Sequence, residues 1–233
     1  MKSLLLTLII TTPLYTEAQK IESLSLNLGV THSNQNWIIN PEFTNIAEKE
    51  KKQYIVSNVW GISMGIKGFK KVSFLFSANQ YTKGFKDSDV AVFSSENLPV
   101  VSYENYRLPM KYYHINFLAD FHKLYRGFKY SFLIGPKIEL LRNVNSPFNQ
   151  STNTGVPSHY QIHNNYNSFV WGAEAGLRVT KRFKKLGVAA GLFYSYDGSP
   201  AYLDDRVKVR NNSAYLNGSL LYYFKKPKGC GCL

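Results

Sequence analysis

Three short runs of the chain place acids, bases and amides at alternate positions of otherwise apolar segments: His114, Asn116 and Asp120; Lys137 and Glu139; Glu174 and Arg178. Side chains two residues apart share one face of a strand, so each run would present its polar groups to one side. Charged groups gathered there are costly unless they are paired and hydrogen-bonded. The chemistry expected of His114, Asp120, Lys137, Glu139, Glu174 and Arg178 is therefore a closed ion-pair network. Catalysis would need a nucleophile, a base and an orienting acid that converge. His114 is the best base candidate, with Ser195 and Asp197 in a much later segment, and nothing in the spacing brings the three together. His159 and His163 could share a metal only on a helix, whereas the Asn- and Ser-rich sequence around them reads as a surface loop. Cys230 and Cys232 sit in the last four residues, so no disulfide links distant segments. No metal, cofactor or enzymatic activity is expected.

The segments that must position these residues are strands. Bulky apolar residues alternate with small or polar ones over residues 22–31, 55–67, 72–82, 111–121, 129–141, 168–180, 186–196 and 213–225, the period-2 signature of a strand with two unlike faces. Residues 168–180 carry it most clearly, with Phe169, Trp171, Ala173, Ala175, Leu177 and Val179 opposite Gly172, Glu174, Gly176 and Arg178. Each segment is long enough to cross a bilayer as a tilted strand. The links alternate in length: 32–54, 83–110, 142–167 and 197–212 are long, while 68–71, 122–128 and 181–185 are short. Long outer loops and short periplasmic turns are the asymmetry of outer-membrane barrels, and an even strand count returns both ends to the turn side. The expected fold is all-β, an eight-stranded antiparallel up-and-down transmembrane β-barrel over residues 19–226.

A soluble lipocalin-like barrel would carry the same alternation with its faces exchanged. The polar face here is rich in small residues, among them Gly61, Ser63, Gly65, Ser73, Gly176 and Gly191, as a narrow closed interior requires. The opposite face sets Trp60, Tyr113, Tyr130, Trp171, Tyr194, Tyr222 and Phe224 near strand ends, which suits membrane-interface girdles. The net charge is +13. Its lysines and arginines cluster at the short turns and the C-terminal end, forming one basic rim that would meet anionic headgroups, with about 1 kcal/mol per contact. A nucleic-acid groove would interleave basic and exposed aromatic residues on one face, and no such face exists, so no nucleic-acid partner is expected.

Residues 1–18 read as an export signal: a basic start, an apolar run from Leu4 to Leu14, and small residues before a cleavage point after Ala18. Residues 227–233 form a short Cys-Gly-Cys tail. Export and the barrel together imply location in a bacterial outer membrane.

Leu108-Pro109, the run Ile134-Gly135-Pro136-Lys137-Ile138-Glu139-Leu140-Leu141 and the run Gly172-Ala173-Glu174-Ala175-Gly176-Leu177 resemble the PorT-like outer-membrane β-barrel domain of Bacteroidota. The likeness spans nearly all of the mature chain through glycine and apolar spacings, and it implies a small barrel of the kind associated with secretion or surface assembly. The function expected is a plugged barrel acting as a structural, surface-binding or assembly component. Its partners would be outer-membrane lipid and a protein met through the long loops or the basic rim. The alternative is a lipid acyltransferase or hydrolase on the same scaffold.

Overall fold

The computed structural model describes residues 21–39, 54–69, 71–86, 89–92, 101–104, 107–144, 166–203 and 207–224. The export signal, the Cys-Gly-Cys tail, His159 and His163 lie outside the described residues. Among the described residues every element is a strand: β1 (Ile21–Ile39), β2 (Ile55–Phe69), β3 (Val72–Lys86), β4 (Asp89–Val92), β5 (Val101–Glu104), β6 (Arg107–Tyr125), β7 (Phe128–Val144), β8 (Phe169–Phe183), β9 (Leu186–Asp197), β10 (Tyr202–Leu203) and β11 (Val207–Tyr223). The sheet runs β1-β2-β3-β6-β7-β8-β9-β11, and β1 pairs back onto β11 to close it. All pairings are antiparallel, and the closing seam extends from Ser23↔Tyr223 to Ile39↔Val207. This is the eight-stranded antiparallel barrel expected from the alternation. β4 and β5 form a separate ribbon, and β10 adds to the end of β11 beyond β9.

The β6–β7 and β8–β9 connections are two-residue turns at one end of the barrel, the end at which β2 stops and β3 begins. Arg126 and Gly127 both adopt positive φ, 48° and 75°. That pair of left-handed residues makes a type I′ turn, whose twist matches the flanking strands. A Cβ at Gly127 would meet only the mobile end of Lys181, at 3.0 Å. Backbone conformation thus decides the cost of Gly127→Ala, which is expected to be about 1 kcal/mol, read as a lower urea midpoint for the folded protein in lipid vesicles.

The strands outrun the segments read from the sequence. β1 and β6 each have 19 residues, about 60 Å at roughly 3.3 Å per residue. Even tilted, they exceed a hydrocarbon core of about 30 Å. Residues 83–110, expected to be one loop, contribute Lys83–Lys86 to β3, the β4–β5 ribbon, and Arg107–Met110 to β6. Outside the apolar zone the outward apolar alternation lapses, with Met110, Tyr112, Val144 and Val209 buried inward, while the backbone ladder continues.

Burial alternates with the pleat and does so without a break along β9. The exposed face is the apolar one. Leu28 is 70% exposed and Leu177 62%, amid Leu26, Ile62, Phe117, Ile134, Leu192, Leu216 and Leu220. Soluble monomers rarely expose a continuous apolar belt of this kind. Trp60, Tyr113, Trp171 and Tyr194 border it toward the long-loop end, and Tyr130, Tyr222 and Phe224 toward the turns, all outward. The inward face holds serine, asparagine, glycine and the charged residues.

Candidate functional site

The lumen is stacked in three layers. A middle layer is apolar and aromatic: Leu75, Leu118, Leu133, Phe193 and Tyr215, with Val59 and Tyr81. Phe193 stacks on Tyr215 at 4.8 Å between ring centroids. Gly176 makes this possible, since a Cβ there would sit 2.3 Å from the Phe193 ring. The pairing Leu133↔Gly176↔Phe193↔Tyr215 runs around half the wall at one level.

On the loop side of this layer lies a fully enclosed charge cluster. Glu139 is its hub: its Oε1 accepts from Lys83 Nζ at 2.6 Å and Lys137 Nζ at 2.8 Å, and lies 2.8 Å from His114 Nδ1. Asp197 Oδ1 pairs with Lys137 and stands 3.4 Å from Lys83. His114 Nε2 lies 2.8 Å from Glu174 Oε2. Glu174 Oε1 accepts from Asn116 Nδ2 at 2.7 Å and from the Tyr215 hydroxyl at 2.6 Å. Tyr81 stacks on the His114 ring at 4.4 Å. The backbone N–H of Asn211 donates to Asp197, and Gln35 donates to Asn211. Both ring nitrogens of His114 face carboxylates, and both can donate only as imidazolium. Two lysines and an imidazolium then balance Glu139, Glu174 and Asp197, the condition under which buried charges are tolerable.

A smaller group lies on the turn side. Asp120 Oδ2 accepts from Lys129 Nζ at 2.7 Å and from Ser73 Oγ at 3.1 Å. Arg178 is buried on the same side. Of the six polar residues singled out in the sequence, the structure thus brings together His114, Lys137, Glu139 and Glu174, and places Asp120 and Arg178 beyond the apolar layer.

Sequence spacing gave no reason for His114, Ser195 and Asp197 to meet, yet His114 reaches Asp197 through Glu139 and Lys137. A lumen lets strands that are not neighbours in the sheet touch across it. The set still lacks the logic of a nucleophilic triad. Both ring nitrogens of His114 lie against carboxylates and not against Ser195, whose Oγ is buried without a hydrogen-bond partner. Lys83 and Tyr215 were not singled out from sequence. Lys83 continues the inward series Ser73, Leu75, Ser77, Asn79, Tyr81 by one more step, and Tyr215 shares the parity of Asn217 and Ser219; extending each alternation past its last clear apolar residue finds both.

Fold and lumen define a closed, filled barrel of the outer-membrane type. Among solved structures the chain is similar to the outer membrane protein OprG from Pseudomonas aeruginosa, with a TM-score of 0.52 at 9% identity, covering 88% of this chain and 97% of that one. Neisserial surface protein A gives 0.45 at 14% identity over 86% and 97%. The outer membrane protease OmpT from Escherichia coli gives 0.41 at 8% over 88% and 97%. At these identities the likeness is one of fold. No family model and no curated protein matches the sequence.

Proposed function

We propose that the chain is a bacterial outer-membrane protein whose filled barrel is a rigid mount for its loop-side surface, acting as a structural, surface-binding or assembly component. The observation that carries this reading is the pairing of an outward apolar belt with a lumen occupied through its whole depth by side chains. In water the belt would drive aggregation; in a bilayer it replaces lipid contacts at no desolvation cost to the polar interior. Loops on a rigid scaffold are the usual carriers of binding function.

Lipid is the first partner. Lys71, Lys123, Arg126, Lys184 and Lys185 stand exposed at the turn end, where anionic headgroups of the inner leaflet would lie. Just above them an outward groove of about 620 Å³ is lined by Val72, Phe121, Tyr130 and Phe132 together with Lys71 and Lys123, a pairing of apolar floor and cationic edge that suits an acyl chain and its phosphate. A protein partner would be met through the loop-side surface or this same rim.

Planar-bilayer recording tests the filled lumen. The purified protein is expected to insert without stepwise ion conductance above the lipid background. Stable conductance steps from the unmodified protein would contradict the reading, because the Phe193–Tyr215 layer would then not be closed.

A further inference from the structure

We propose that the turn-side end of the lumen is a binding site for one small monovalent anion of chloride size, held by the Arg178 guanidinium. Arg178 is only 7% exposed. Its Nη2 is enclosed without a hydrogen-bond partner, and no ion pair reaches it among the described residues. Buried charges are ordinarily paired, and an unpaired one is among the costliest features a fold can hold. The contrast with the loop-side cluster is direct, since there every cation has a carboxylate within 3.4 Å.

The guanidinium borders a cavity of about 40 Å³ that is also lined by Lys129, Asp120, Ser73, Thr180 and Tyr223. One water needs roughly 10–15 Å³ on this measure, so the space admits a halide-sized ion with an accompanying water and excludes an organic acid. The lining charges are Glu22, Asp120, Lys129 and Arg178. Asp120 is engaged by Lys129 at 2.7 Å. Glu22 is drawn to Arg182, outside the cavity, at 3.8 Å and is partly exposed to solvent. Arg178 is thus the lining charge that no ion pair reaches among the described residues, which sets the sign of the ligand. Asp120 Oδ1, which His122 Nδ1 approaches only to 3.6 Å, is the group that the accompanying water would reach. The site depends on the barrel alone and not on the binding role proposed above.

Two measurements on the full-length protein in detergent test it. Crystals grown in sodium bromide are expected to show an anomalous peak within hydrogen-bond distance of Arg178 Nη2; a cavity holding waters only overturns the proposal. The melting temperature of the unmodified protein is expected to rise and saturate with sodium chloride but not with sodium gluconate at matched ionic strength, and Arg178→Met is expected to abolish that dependence. Equal melting temperatures in the two salts, or chloride dependence retained in Arg178→Met with bromide bound elsewhere, an adventitious ion only, would overturn it. Should Arg178→Met fail to fold, the bromide peak in the unmodified protein decides the matter.

Discussion

Glu139→Gln is expected to destabilise the folded barrel by about 3–5 kcal/mol, the penalty typical of breaking a buried charge network from one side. Glu139 is the shared partner of Lys83, Lys137 and His114. An amide of the same shape keeps the packing but removes the charge, leaving three cations facing Asp197 and Glu174. The size of the effect comes from the cations left behind more than from the lost hydrogen bonds. A double variant separates the two contributions. Lys83→Met in the Glu139→Gln background restores charge balance, with Lys137 and His114 against Asp197 and Glu174. The double variant is therefore expected to be more stable than Glu139→Gln alone, although it has lost more polar contacts. Urea titration in lipid vesicles, following the heat-modifiable band shift, reads both. Additive losses would mean that the charges act independently and that the cluster is held by individual hydrogen bonds.

The second large effect concerns the other face of the same strands. Leu177→Arg is expected to cost about 2–4 kcal/mol in vesicles, because it sets a guanidinium near the middle of the apolar belt, whereas Phe183→Arg at the turn end is expected to cost about 0–1 kcal/mol. Depth dependence is the informative part. Both residues are outward and more than half exposed, so in water the two substitutions would be equally harmless. The same urea titration measures them, and equal small losses at both positions would show that the belt does not contact hydrocarbon.

Much of the architecture was legible because a barrel wall between lipid and a filled interior imposes a two-residue alternation on every strand. Ala173, Ala175, Leu177 and Val179 against Gly172, Glu174, Gly176 and Arg178 could be assigned to faces without any knowledge of neighbours. Small inward residues pointed to a narrow lumen, and Gly176 lying under the Phe193 ring is what that smallness serves. The strand extensions beyond the apolar zone were hidden, since the backbone pairing of Lys83–Lys86 with Arg107–Met110 continues where the outward apolar alternation lapses. Convergence across the lumen was hidden for a different reason. Lys83, His114, Glu139 and Asp197 come from β3, β6, β7 and β9, and which inward residues meet depends on register and stagger around the closed sheet, quantities that no single strand encodes. The division of the lumen into charged, apolar and charged layers likewise emerges only when Leu75, Leu118, Leu133 and Phe193 fall at one level. Asp120 and Arg178 shared the face of the loop-side network in sequence but not its level.

The central claim is that the apolar face of this wall meets lipid while the polar face is sealed inside. Trp60 and Trp171 both stand on the outward face, each more than half exposed. In a Trp37→Phe variant they are the remaining tryptophans of the three in the chain, so they report on that face alone. The direct measurement is their fluorescence in vesicles of lipid brominated along the acyl chain. Strong quenching relative to unbrominated lipid, with little quenching by aqueous iodide, is the expected result; emission insensitive to brominated lipid but quenched by iodide would contradict the account.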